Sequence, residues 1–169
     1  VNRFVDELFF QSFDASRIED FLSKISNVSE EHRRTRTEYL AEGLHFQCFV
    51  IHANPLELCV NVAKKTFLEK GPRGLVRWEK AMTALRQLDM QDLVPPFQIV
   101  RSGDAVALVL PRGKPIGRQG AESRDISEKI VATSKSMGRM GLTLDDYPQL
   151  VECRGIHFIN DWSDLDWHH

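Results

Sequence analysis

The run Cys153-Arg154-Gly155-Ile156-His157-Phe158-Ile159-Asn160-Asp161-Trp162-Ser163-Asp164-Leu165 decides how the rest of the chain is read. Its apolar centre (Ile156, Phe158, Ile159) predicts a strand that runs straight into Asn160-Asp161. A carboxylate delivered at the end of a strand, beside a large aromatic, can hold a metal ion over a cleft. Asp is equally at home in a turn after a strand, where its side chain bonds nearby backbone groups. The flanking segments have to decide between these two readings.

Just upstream, Leu150 to Cys153 predicts a partner strand, joined through Arg154-Gly155. Before it lies an acidic loop, Leu142-Thr143-Leu144-Asp145-Asp146-Tyr147-Pro148-Gln149. A helix is predicted from about Asp125 to Met140, with Ile126, Ile130, Val131, Ser134 and Met137 along one side. Asp125 and Glu128 stand at capping-box spacing, and Gly141 supplies the stop. Pro111-Arg112-Gly113-Lys114-Pro115 reads as a link between lobes. It leaves a hairpin made of Phe97 to Val100, a Ser102-Gly103-Asp104 turn, and Ala105 to Leu110.

Further back, Gly71-Pro72-Arg73-Gly74 is expected to break the chain. A helix follows, with Leu75, Trp78, Met82, Leu85 and Leu88 at helical spacing and Glu79 on the flank of that face. Leu58, Val60 and Val62 alternate on one face of a strand, and Lys64 is next in phase. A lysine ending an inward-facing apolar series either needs an anionic partner or snorkels at the strand end. Thr37 and Tyr39, then His45 to Ile51, predict two strands around Ala41-Glu42-Gly43. The N-terminus offers two amphipathic helices. One spans residues 4–13; the other carries Ile18, Phe21, Leu22 and Ile25 on one face, with Ser16 and Glu19 at capping-box spacing. They can pack on the main domain or dock a protein partner.

The bulk properties narrow the classes. A chain of 169 residues has length for one domain, or for two small lobes sharing a cleft. A formal net charge of −2 gives no global basic field, so we expect no nucleic-acid partner. The most basic run, His32-Arg33-Arg34-Thr35-Arg36, is flanked by Glu30, Glu31 and Glu38 and reads as a solvated, charge-balanced face. Cys48, Cys59 and Cys153 are widely spaced, which argues against a disulfide framework or a structural zinc site and suits a reducing, cytoplasmic setting. No apolar run reaches 18 residues, so no membrane span is expected.

Taken in order, three strands with a lysine ending the third, a helix with a glutamate, a hairpin, a link, a helix, an acidic loop and a hairpin ending in Asp resemble the protein-kinase-like fold, including its small-molecule kinases. The resemblance covers about Thr37 to Leu165 and rests on element order and spacing. It implies an α+β protein: an N-terminal antiparallel sheet with a helix, linked to a reduced helical C-terminal part with a short hairpin. The implied divisions are a helical extension over 1–34, the sheet and helix over 35–111, and the reduced part over 112–169. It also implies ATP and Mg²⁺ in an interlobe cleft. Val60-Asn61-Val62-Ala63-Lys64 resembles the family's strand lysine on nucleotide phosphate, with Lys65 as a fallback and Glu79 as its helix carboxylate. Asp161-Trp162-Ser163 stands where the family has Asp-Phe-Gly, so Asp161 would hold the metal, with Gln149 at the second ligand position. Asp145 or Asp146 would be the catalytic base, Gly43 the remnant of the glycine-rich loop, and Leu110 the entry to the adenine-binding link.

The chain departs from the family pattern in ways that open two other readings. Gly43 stands alone where several glycines are usual, no His-Arg-Asp precedes the acidic loop, and the spacing from Asp145 to Gln149 is one residue short. Only about a third of the chain follows the link, which leaves no room for an activation segment. These gaps favour a kinase-shaped, catalytically silent module that binds a partner through its N-terminal helices, with Arg33 and Arg34 as docking candidates. A third reading builds a metal-dependent hydrolase from Asp145, Asp146, Asp161, Asp164 and His157.

Overall fold

A computed structural model describes residues 3–69, 72–88, 93–117, 120, 122–144 and 149–168. Among these residues the chain is mixed α+β, with six helices and three antiparallel sheets. No helix among them is long and apolar enough to cross a membrane. The chain divides into two compact units that are not consecutive in sequence. One comprises Glu7–Lys70 and Pro96–Arg112; the other comprises Val1–Asp6, Gly71–Pro95 and Gly113–His169.

The first unit is built on a five-stranded sheet. In chain order the strands are β1 (Tyr39–Glu42), β2 (Phe46–Ile51), β3 (Leu58–Ala63), β4 (Gln98–Ser102) and β5 (Ala105–Pro111). Their spatial order is β1-β2-β3-β5-β4. The central strands read as nearly continuous apolar runs because both of their faces are buried; every residue of β5 is buried.

Register separates the two faces, since side chains alternate along a strand. One face carries Gln47, Phe49 and Ile51 of β2, opposite Val62, Val60 and Leu58 of β3, which oppose Ala107, Val109 and Pro111 of β5. The helix α2 (Ala15–Ile25) covers this face. Phe21 meets the Phe49 ring edge-on at 5.3 Å, and the Ser23 and Ser102 hydroxyls bond at 2.7 Å. The other face carries Phe46, Cys48 and Val50, opposite Ala63, Asn61 and Cys59, with Leu108 and Leu110 of β5 alongside.

Short helices close the unit. The helix α1 (Phe4–Ser12) ends in Ser12, whose hydroxyl donates to Leu8 C=O and accepts from Leu56 N–H at 2.9 Å. The N-cap of α2 is Asp14, which accepts from Ser16 and Arg17 N–H; the expected box of Ser16 and Glu19 yields to it because Asp14 sits one residue before the first helical turn. Two four-residue helices, α3 (Glu30–Arg33) and α4 (Lys65–Leu68), are too short to show a helical period in sequence.

In the second unit, α5 (Pro72–Leu85) starts at Pro72, where the missing N–H costs nothing, so Gly74 lies inside the helix rather than in a chain break. The helix α6 (Arg124–Arg139) buries Ile126, Thr133 and Met137. Val131, expected on the inner side, is exposed, and the N-cap position falls on Ser123, not on a box begun by Asp125.

Two small sheets complete the unit. β6 (Lys114–Pro115) pairs with β8 (Leu150–Cys153), and β8 pairs with β9 (Ile156–Ile159) through a two-residue turn. Both turn residues, Arg154 and Gly155, have positive φ, as a right-twisted hairpin requires. β7 (Leu142–Leu144) pairs with β10 (Leu165–Trp167), giving strand structure to residues whose sequence reads as loop.

Indole groups tie these pieces together. Trp78 Nε1 donates to Trp162 C=O at 2.9 Å, Trp162 Nε1 to Ile159 C=O at 2.9 Å, and Trp167 Nε1 to Met140 C=O at 3.2 Å. Trp162 and Trp78 are almost fully buried. A buried indole needs such an acceptor to offset its lost hydration.

Candidate functional site

The residues singled out in sequence fall into two sets, one in each unit. In the sheet unit, Lys64 follows β3 directly with an extended backbone (φ −71°, ψ 156°), and its N–H donates to His45 C=O at 2.8 Å. The ladder therefore continues one step, and the Lys64 side chain keeps the face of Val62, Val60 and Leu58. The anionic partner demanded by an ammonium at this place is Glu42 of β1, which stands opposite Gln47 on that same face.

Glu42 is the hub of a charged cluster. Its carboxylate accepts from Arg34 Nε, from Arg34 Nη2 at 3.2 Å, from the Tyr39 hydroxyl at 3.0 Å, and from Lys64 Nζ. Two cations and a phenol on one carboxylate lower its pKa to about 2, with the Arg34 bond the largest cause and Lys64 next. Lys64 itself is 14% exposed, so the snorkelling expectation gives way to a paired, mostly buried ammonium. The fallback Lys65 is exposed and ion-pairs with Glu69 at 3.5 Å.

Leu110 is fully buried in β5, opposite Cys59. Its side chain belongs to the face with Asn61, so Lys64 and Leu110 lie on opposite faces of the sheet. Five residues of β3 and its continuation also separate Lys64 from Cys59, about 16 Å along the strand. The structure does not bring these two candidates together. Gly43, in the β1–β2 turn, donates its N–H to Phe46 C=O at 2.9 Å; a Cβ there would meet nothing within 4 Å, and its φ is not positive. No close backbone approach asks for glycine at this turn.

The basic run near α3 is exposed at His32, Arg34 and Thr35 and balanced by carboxylates, and its arginines also fasten the unit internally. Arg33 Nε donates to Ile25 C=O at 3.1 Å, satisfying the end of α2, and burial lowers the Arg33 pKa. Arg34 holds Glu42, and Arg36 lies over the Phe21 ring at 5.8 Å while pairing with Glu38 at 3.2 Å. A cavity of about 740 Å³, lined among others by Arg33, Glu30, Lys65, Glu69 and Asp104, opens beside this segment. Its lining comes from three separate stretches of chain, and no local pattern marks it.

In the second unit, Asp161 follows β9 and is half-buried. Its Oδ1 accepts from Ser163 N–H at 3.0 Å and Ser163 Oγ at 2.7 Å, which is the turn role that Asp fills after a strand. Among the described residues Oδ2 takes no hydrogen bond. Gln149 C=O accepts from Asn160 N–H at 2.8 Å, so Gln149 and Asp161 stand at the same open end of the β8–β9 hairpin. Glu79 is half-buried on α5, and its C=O accepts from Thr83 Oγ1 at 2.8 Å. Asp145 and Asp146 lie outside the described residues.

Strand alternation puts the Gln149 side chain on the face of Asn160 and not that of Asp161, so Asp161 Oδ2 alone is a thin donor set. It fits Mg²⁺ only if nucleotide phosphates and water complete the coordination, as that ion often allows. Among the described residues no group of three or more His, Cys, Asp or Glu could hold a metal ion. No protein-family model matches the sequence, and no curated protein matches it.

Proposed function

We propose that the protein is a kinase-like module that works by binding a protein partner and does not transfer phosphate. The observation that carries this reading is the placement of Lys64. Its ammonium closes on Glu42 on the helix-covered face, away from the Leu110 face where an adenine-binding strand would present its ligand. The central positions of the Leu110 face (Phe46, Cys48, Val50, Cys59, Asn61, Ala63, Val106, Leu108, Leu110) include no cation. The arginines of that face, Arg101 opposite Val106 and Arg112 beyond Pro111, stand on the edge strand β4 and past the end of β5. Phosphoryl transfer depends on neutralising a triphosphate, and the strand lysine that the family uses for this is tied to Glu42 on the other face. The kinase-like assignment draws its support from the strand order, with α5 inserted in sequence between β3 and β4, and from the hairpin that ends in Asp161. The partner is a protein engaging the N-terminal helices, where α1 leaves Phe4 and Phe10 exposed.

A second reading, nucleotide and Mg²⁺ binding, is favoured by Asp161 at the end of β9, whose Oδ2 takes no hydrogen bond among the described residues. In that case Asp161 would hold the ion together with phosphate oxygens and water, and the ion would neutralise phosphate charge. Thermal unfolding with millimolar ATP and Mg²⁺ separates the two. The partner-binding reading expects no change. Stabilisation approaching about 2.7 kcal/mol at a hundredfold excess over Kd, abolished in Asp161→Asn, would replace it with the second.

A further inference from the structure

Cys48 and Cys59 are far apart in sequence, but the β2–β3 register makes them neighbours. Cys48 opposes Asn61 and Val50 opposes Cys59, so the two cysteines occupy one face of adjacent strands, two residues apart on the diagonal. Diagonal side chains in such a pair lie within reach of each other. Both cysteines are free thiols; Cys59 is buried and Cys48 is partly open to solvent. Arg112, which follows β5, bonds through its N–H to Glu57 C=O at 2.9 Å and ion-pairs with the Glu57 carboxylate at 2.8 Å. It thus brings a guanidinium to the end of β3 where Cys59 lies.

We propose that Cys48 and Cys59 form a peroxide-responsive dithiol, in which Cys48 is the reacting thiol and Cys59 resolves it to a cross-strand disulfide. The Cys48 thiolate attacks one oxygen of a hydroperoxide, the O–O bond breaks, and the leaving alkoxide or hydroxide takes up a proton. Cys48 is left as a sulfenic acid. The Cys59 sulfur then attacks the Cys48 sulfur, the S–O bond breaks, and the hydroxyl leaves as water with the Cys59 proton. Two thiols lose two electrons, and the hydroperoxide gains them.

The division of labour follows from the surroundings. The hydrogen bond from Cys59 holds the Cys48 thiol below its ordinary pKa against the opposing effect of burial, and the positive charge of Arg112 adds to that. Cys59 is pushed up by the same bond and by burial, so its proton is held until the sulfenic acid forms. Diagonal strand positions lie about 7 to 8 Å apart, just beyond the usual Cα separation of a disulfide, so closing the bond draws the two strands locally together and strains it. The bond is therefore expected to reduce readily under mild thiol reductant.

The test treats the native, full chain with hydrogen peroxide and maps its cysteine peptides. We expect free thiols to fall from three to one, with Cys153 still reduced, the Cys48 and Cys59 peptides linked, and dithiothreitol restoring all three. Cys59→Ser, or Cys59→Ala where serine unfolds the strand, should give no link and a Cys48 sulfenic acid trapped by dimedone. In Cys48→Ser, Cys59 should remain a thiol. Survival of all three thiols at a peroxide dose that oxidises glutathione would overturn the proposal. So would a native chain whose Cys48 passes to sulfinic acid with no link to Cys59.

Discussion

The two compact units are held together by different means. In the sheet unit, β2, β3, β4 and β5 pair over five or six residues each, and every central strand buries both faces. In the other unit the strands are two to four residues long, and three indoles pin them to backbone carbonyls. A ladder spreads its stability over many equivalent bonds. Pins concentrate it in a few side chains, so single substitutions should hurt the second unit most.

Trp162 gives the largest expected effect. Its indole donates to Ile159, its own C=O accepts from Trp78, and it is 1% exposed. Trp162→Ala should cost about 3 to 5 kcal/mol by urea denaturation. Amide exchange should accelerate first in β8 and β9 while β2 and β3 stay protected. Equal acceleration in both units would erase the distinction between pins and ladder.

An intermediate effect is expected at the Glu42 hub of the sheet unit. Glu42 has its pKa lowered from 4.5 to about 2 on folding, so its contribution is fully present above pH 4.5 and is lost as the pH falls through about 2. With solvent screening of a partly open cluster, that step is worth about 1 to 2 kcal/mol. Glu42→Gln should flatten the acid limb of the stability profile by this amount. An unchanged limb would show that the hub adds nothing to the ladder. The smallest effect belongs to Gly43→Ala. With no contact at its Cβ position and no positive φ, the change should lie within about 0.5 kcal/mol of neutral in the same urea assay. A loss above that would mean that the turn does require glycine.

Legibility in the sequence follows the same contrast. Alternation over β2 and β3, the Ser102-Gly103-Asp104 turn of the β4–β5 hairpin, and Arg154-Gly155 between β8 and β9 are local signals, and each element forms where its pattern lies. β7 and β10 are three residues each and exist because they meet each other, 20 residues apart at their nearest ends; no window on either stretch carries that information. Lys64 was visible as a phased, inward lysine, yet its partner was not. Glu42 lies 22 positions upstream in an unremarkable turn, and only the β1–β2–β3 register brings the two together. The face assignment of Lys64 against Leu110 likewise needs the pairing of β3 with β5, which joins residues nearly fifty positions apart.

That register also measures mutational distance. Asn61 is half-buried on the Leu110 face, between Cys48 on one side and Leu108 on the other. A single codon change there to lysine would put a cation at the centre of that face, where β2, β3 and β5 now have none, without disturbing the Lys64–Glu42 pair behind it. Moving Lys64 itself across would instead require inserting or deleting a residue, which would reverse the facing of the residues beyond it. The route to a cation at the centre of that face is a substitution, and the route that relocates the existing lysine is a frame shift of the strand.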